Sequence, residues 1–483
     1  MASSLLAGAR DDLIGLRDTD AKPPTTRLLG RVIFYGLIVL MGLAAIPYGT
    51  VEPWAEALFE CAVFALCLCF AIEGYLSGSW YIPGLSLFYP VIALIVFALL
   101  QSVAFWQISL PAAAGGKVWV ALSADPYESR RFALKLAALA LAAALLLRYL
   151  VTRRRLLTLI NVVIGISVVS AMFGLLRQTV QQQQKGFVLP LLLLDSGYGQ
   201  FINRNHFAYL MEMALGLGLG LIAARGVRRD RILMYLAALL LVWTALVLSN
   251  SRGGMLAMLV QVVLALMLFI RTRTQKETSA VKSARPGGIW RLARSLVVQI
   301  ALVAGLILAI IFGVIWIGGD PVVSHIETAS IELETRNSEA FDGGRRRDIW
   351  RDSWEMFKSS KILGVGLGGY WTAIPQYHEG SGQLTPQRAH NDYLELLASG
   401  GIIGAAIGLW FGFILMRRIR DSLRSKDSFY RACACGATIA IVGVAVHSLF
   451  DFGLHITSNA LIFVSLLAVL GVGERFSGQV ETL

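Results

Sequence analysis

The chain has 483 residues, 56% of them hydrophobic and only 15% charged, with a formal net charge of +12 and a mean hydropathy of +0.65. Soluble domains hold about 45–50% apolar and about 25% charged residues, so the composition excludes a string of soluble domains. The apolar residues come in nearly charge-free blocks of roughly 18–22, the length that crosses about 30 Å of hydrocarbon.

The first segment, 1–31, is polar and mixed, with Arg10, Arg17, Lys22, Arg27 and Arg31. It lacks the short apolar core and small-residue cleavage site of a secretory signal and reads as a cytosolic tail. The blocks that follow predict helices over 32–49, 56–76, 86–105, 131–150, 156–177, 206–224, 231–249, 253–270, 295–317, 398–416, 432–450 and 457–473. The expectation is an all-α, polytopic transmembrane bundle of about 12 helices spanning 32–473, with a cytosolic tail over 474–483.

Positive charge orients such a bundle. Arg148 and Arg153–Arg155, Arg225 to Arg231, the stretch Arg271–Arg294 and the stretch Arg417–Arg431 fall in loops of one parity. Those loops and the N-terminal tail carry about twice the Lys and Arg of the other side, which makes theirs the cytosolic side. The basic balance is thereby explained by membrane orientation, and nucleic acid is not an expected partner. The outer side then holds loops at 106–130, 178–205 and, longest, 318–397. Long loops without a domain of their own are usually functional. Within the last, Trp350, Trp354 and Phe357 recur at i, i+4 and i+7 behind Arg345-Arg346-Arg347, which predicts an amphipathic helix in the interface with its aromatics at headgroup depth.

Several features carry little chemistry. Cys61, Cys67, Cys69, Cys433 and Cys435 lie inside apolar blocks without CxxC spacing and read as packed thiols. Gly216, Gly218 and Gly220 suit close helix packing. Gly364-Val365-Gly366-Leu367-Gly368-Gly369 reads as a flexible turn, and Gln181–Gln184 as loop. No P-loop or GxSxG is present and no Asp-x-Asp lies on the outer side, so neither metal nor cofactor is expected. Glu60, Glu73 and Glu212 are the main acids inside apolar blocks; as a possible pathway they leave open a transporter or lipid-linked glycan flippase, although transport sites sit near the midplane.

The informative residues are cations on the outer side, where orientation does not call for them. Arg204 sits in Asn203-Arg204-Asn205-His206 at the mouth of the sixth helix, and Arg252 in Ser251-Arg252-Gly253-Gly254 between two blocks. Arg345, Arg346 and Arg347 open the amphipathic segment, and His390-Asn391-Asp392 closes the long loop. Each could be structural, since an Arg at a helix end can snorkel to headgroups. Together they suit a different task. Guanidinium groups grip phosphate oxygens bidentately and stay charged. An imidazole can take a proton near neutrality. Such a set suits a lipid-linked diphosphate and a hydroxyl acceptor.

Four ordered stretches over roughly 195–405 resemble the O-antigen ligase and O-antigen polymerase superfamily of bacterial membrane glycosyltransferases: Asn203-Arg204-Asn205-His206; Ser251-Arg252-Gly253; Arg346-Arg347-Asp348-Ile349-Trp350 with Gly364-Val365-Gly366; and His390-Asn391-Asp392-Tyr393-Leu394 with Gly400-Gly401-Ile402-Ile403-Gly404. The resemblance implies a GT-C-like bundle in the bacterial inner membrane. It implies inverting, metal-independent transfer from an undecaprenyl-diphosphate-linked glycan donor to a glycan or lipid A-core acceptor at the periplasmic face. It also implies His390 as base and Arg252 and Arg346 on the diphosphate, with Arg345 and Arg347 as alternatives in the arginine run. Arg204, Asn205, His206 and Asn391 would complete the substrate site, and His447 and Asp451 fit late polar positions. The His-Asn-Asp-Tyr-Leu form leans toward a polymerase over a lipid A-core ligase. A reporter fused within 318–397 is expected to be periplasmic; reporter activity in the cytosol would overturn the orientation.

Overall fold

A computed structural model describes residues 24–109, 117–181, 192, 197–280, 343–378 and 386–473. In chain order it comprises α1 (Pro24–Ala45), α2 (Pro53–Ser77), α3 (Phe88–Gln101), β1 (Ala104–Ser109), β2 (Lys117–Ala121), α4 (Pro126–Tyr149), α5 (Arg153–Val180), α6 (Arg204–Ala223) and α7 (Ile232–Leu248). Then follow α8 (Arg252–Ala280), α9 (Gly343–Ser359), α10 (Tyr370–Ala373), α11 (Asp392–Leu423), α12 (Ser428–His447) and α13 (Thr457–Gly471). Among the described residues nine helices are long and apolar enough to cross a membrane, and α3 and α13 are shorter apolar helices. Eleven of the twelve expected blocks are thus helices. The block 295–317 lies outside the described residues, as do most of the N-terminal tail, residues 281–342, Gln182–Gln184 and the tail 474–483.

Helix starts follow local capping chemistry. Asp125, Thr152, Asn203 and Asp427 cap α4, α5, α6 and α12 with side-chain oxygens that accept first-turn N–H groups, the residue types that favour this position. Asn391 does the same for α11, accepting from Tyr393 and Leu394 at 3.1 and 3.0 Å. That cap starts the helix at Asp392 rather than 398. The same helix breaks at Gly401, whose φ of 61° and ψ of −159° are not helical.

The all-α expectation needs one correction. The loop expected at 106–130 holds an antiparallel hairpin, with Gln107 opposite Trp119 and Ser109 opposite Lys117. Its base is sewn to the bundle by Gln101, which is fully buried. The Gln101 amide donates to the Leu363 carbonyl at 2.6 Å, and its Oε1 accepts from Leu367 N–H at 2.9 Å. The glycine run beside it is no flexible turn. Gly364 and Gly366 have φ of 69° and 104°, and a Cβ at either would sit 2.3 Å from the Ser399 carbonyl or 2.1 Å from Ser123 Oγ. Only glycine meets both demands.

Loops of the two parities gather at opposite ends. At one end Arg148 approaches Glu73 at 3.7 Å, Arg153 pairs with Asp427, and Arg418 donates to Ser86. At the other, Ser458 N–H donates to the Gly49 carbonyl, Ser251 donates to Asn205, and Asp392 N–H donates to the Ser448 carbonyl. The centre is α6 against α12, both largely buried. A Cβ at Gly216 would lie 2.7 Å from Ala440 Cα, and one at Gly220 2.5 Å from Gly436 Cα, so the two backbones touch as small residues permit. Gly218 instead meets Leu239 of α7.

Overpacking a close contact of this kind costs about 1–3 kcal/mol. Gly220→Val is therefore expected to lower the melting temperature in detergent clearly. Gly412→Ala, where nothing lies within 4 Å, should leave it unchanged.

Candidate active site

The polar end of the bundle is organised by the short segment between α12 and α13. His390 Nδ1 lies 3.1 Å from Asp451 Oδ1. The Asp451 side chain is 1% exposed and that of His390 27%, so the imidazole bridges a buried carboxylate and the surface. Burial alone would push the Asp451 carboxyl up. The hydrogen bond and charge of His390, with His206 and Arg346 farther off, outweigh burial and hold it well below the usual carboxylate range. A carboxylate at Asp451 accepts from His390 Nδ1–H, and in the neutral imidazole that tautomer leaves the lone pair on Nε2.

His390 has a φ of 49°, uncommon for a non-glycine residue. Neighbouring contacts fix it there. Arg388 donates to Glu395 at 2.9 Å, and Ala389 N–H donates to the other Glu395 oxygen at 3.0 Å. The Ala389 carbonyl accepts from Trp350 Nε1 at 3.0 Å. Each of the four consecutive residues Arg388 to Asn391 is thus held, the first two by Glu395, and the backbone has little room to relax.

Phe452 stands among three imidazoles. Its ring lies 4.9 Å from those of His206 and His390 and 6.2 Å from that of His455, each at a steep angle. His206 is buried at the start of α6, and its carbonyl accepts from Asn459. His455 Nε2 lies 3.5 Å from Asp392 and 3.6 Å from Glu395. Burial, with Arg388 beside it, pushes the His455 imidazole down to about 3 despite Glu395. The His455 carbonyl accepts from Lys135 of α4 at 2.6 Å.

The amphipathic helix is α9, but its protein-facing side differs from the expected aromatic stripe. Ile349, Asp352, Ser353 and Met356 are buried. Asp352 meets His378 at 2.6 Å and Ser353 meets Tyr370 OH at 2.7 Å. Trp350 turns inward to the His390 loop, so only Trp354, which is exposed, and Phe357 beside it face outward.

Of the residues singled out from sequence, His390 and His206 come together around Phe452 and Asp451, with Arg346 close enough to act on the Asp451 charge. Arg347 and Arg252 are exposed and Arg204 is half-buried; the side chain of Arg345 lies outside the described residues. Asn205 accepts from Ser251 at 2.9 Å, which ties the start of α6 to the turn that carries Arg252. The Asn391 side-chain oxygen is engaged in capping α11. Sequence reasoning did not single out Phe452, His455 or Glu395, and named Asp392 only as part of the His390-Asn391-Asp392 segment. Asp392 and Glu395 at i and i+3 of a capped first turn, downstream of Arg388, were the available signal. Two of the three acids inside apolar blocks have separate partners. Glu73 is held by Arg148 and Tyr149 at one end, and Glu212 by His447 in the core.

Fold and site define a multi-pass membrane protein with a histidine- and arginine-bearing polar site at one end of its bundle. The O-antigen ligase family model matches residues 237–411, from α7 into α11. That match supports placing the chain in the O-antigen ligase superfamily. It includes Arg252, Arg346, Arg347, His390 and Asn391, whereas Arg204, Asn205, His206 and Asp451 lie outside it. No curated protein matches the chain.

The His455 imidazole is held at about 3 in the fold against about 6.5 in an unfolded chain. The unfolded state therefore binds the extra proton between those values, and stability falls as pH drops through that window. Thermal melts of wild type should lose stability from about pH 6.5 downward, and His455→Gln should lose less over the same range. Parallel curves would contradict the assignment.

Proposed function

We propose that this protein transfers a glycan from an undecaprenyl-diphosphate-linked donor to a saccharide hydroxyl at the periplasmic face. The observation that carries the reading is the pairing of surface-reaching His390 with buried Asp451, at the end of the bundle that gathers Arg204, Arg252 and Arg346.

In this reading the free His390 Nε2 takes the proton of the acceptor hydroxyl. The acceptor oxygen attacks the anomeric carbon of the donor sugar from the face opposite the phosphate. The bond from that carbon to the phosphate oxygen breaks, undecaprenyl diphosphate leaves with the electron pair, and the configuration inverts. Asp451 stabilises the imidazolium that forms. Arg252 and Arg346 hold the diphosphate and offset the charge that grows on it, a role that divalent metals play elsewhere. Arg204 and Arg347 extend the cationic rim, and Asn205, His206 and Asn391 shape its floor.

Of the two acceptor classes we favour another lipid-linked glycan, which makes the enzyme an O-antigen or exopolysaccharide polymerase rather than a lipid A-core ligase. The His-Asn-Asp-Tyr-Leu segment supports this preference. The basic loops support termini in the cytosol and a site at the outer face of the inner membrane.

General-base removal typically costs 10²–10⁴-fold, roughly. His390→Ala and Arg252→Ala are expected to abolish transfer from a lipid-linked oligosaccharide in reconstituted vesicles while membrane insertion persists. Asp451→Asn should lose on the order of 10²-fold or more. Wild-type product levels in the His390 or Arg252 variant would sink the site assignment.

A further inference from the structure

Behind the His390 cluster lies a second histidine–carboxylate pair, inside the bundle. His447, the last residue of α12, places Nδ1 2.9 Å from Glu212 Oε2 of α6, and both side chains are at most 1% exposed. The Tyr209 ring lies flat on the imidazole, with centroids 4.0 Å apart and planes 16° apart. Ionisable groups at such depth are costly and tend to be retained for a task.

The far edge of the His447 ring shows what the pair touches. A Cβ on Gly253 would fall 2.6 Å from His447 Cδ2 and 2.7 Å from Nε2, and 3.5 Å from Phe450 Cβ. The imidazole therefore abuts the backbone of the first turn of α8, one residue from Arg252. Ser251 Oγ accepts from Gly254 N–H across that turn and donates to Asn205. The requirement for glycine after Arg252 follows from this contact: any side chain would displace the ring.

The same stack reaches toward His390. Tyr209 OH lies 3.2 Å from Ser448 Oγ, and Ser448 donates to Asp392 Oδ2 at 2.7 Å. Asp392 N–H donates to the Ser448 carbonyl at 2.9 Å. Three residues on, Asp451 holds His390, and Phe452 packs on His206 and His390. Residues 447–452 thus touch the Arg252 turn at one end and the base at the other.

We propose that Glu212, His447 and Tyr209 are positioning residues that set the spacing between the Arg252 turn and the His390–Asp451 pair, and so between donor diphosphate and acceptor hydroxyl. The inference rests on the glycosyl-transfer reading. Glu212 fixes the ring by accepting from Nδ1–H, Tyr209 fixes its plane, and Gly253 fixes how closely α8 can approach. A displacement of about 1 Å between reacting groups can cost 10²-fold in rate without removing any group that touches substrate.

The test is a split between binding and turnover, measured in vesicles with lipid-linked oligosaccharide isolated from producing cells. Glu212→Leu is expected to lower kcat about 10- to 100-fold with donor KM within about twofold. Glu212→Gln, whose amide oxygen can still accept from Nδ1–H, should recover most of kcat. Gly253→Ala, a second route to the same displacement, should reproduce the loss should Glu212→Leu fail to fold. Unchanged kcat in a folded Glu212→Leu or Gly253→Ala variant overturns the proposal, as does a raised donor KM with unchanged kcat. No transfer by wild type would instead defeat the glycosyl-transfer reading itself.

Discussion

Gly216 and Gly220 lie where any side chain would strike the backbone of α12, at Ala440 and Gly436. In hydrocarbon, helices gain little from burying apolar side chains against one another, so close backbone approach and buried polar contacts must hold them. This contact makes α6 and α12 a single rigid unit at the centre of the bundle. Everything polar at the site end hangs from it. α6 contributes His206, Tyr209 and Glu212; α12 and the turn after it contribute His447, Ser448, Asp451 and Phe452. The His390 loop and the Arg252 turn then dock on that unit from either side.

In the proposed reading, the arrangement explains how a strained residue can serve as the base. His390 is left-handed because Glu395, Trp350, Asp451 and the Asn391 cap hold the four residues around it. Such preorganisation is what a general base needs. Its carboxylate partner is buried and kept ionised, so it orients the imidazole without competing for the proton. Phe452 adds an apolar wall that separates His390 from His206 and His455.

Much of this was legible in the sequence, for definite reasons. Membrane-spanning helices announce themselves by length and lack of charge, and eleven of the expected blocks are helices. Arginines and histidines in the less basic set of loops stand out because the orientation rule leaves them unexplained, and His390, His206 and Arg346 do converge. The rest depended on contacts between residues far apart in the chain. Gln101 looks like an ordinary polar residue ending a span until its amide is seen closing on residues 363–367. Asp451 lies 61 positions from His390, and no periodicity links them. Trp350 shares a helical stripe with Trp354 and Phe357, yet one hydrogen bond to Ala389 turns it inward. The β-hairpin escaped notice because its strands are short and follow a span directly. Glu212 meets His447 across 235 positions, a link that no periodicity shows.

The central claim is a single displacement at the anomeric carbon, with His390 as base and arginines in place of a metal. Product stereochemistry tests it most directly. Wild-type protein in vesicles, given a lipid-linked oligosaccharide of known anomeric configuration, should yield a new glycosidic bond of inverted configuration by NMR. Retained configuration would require a covalent or two-step route and would contradict the account.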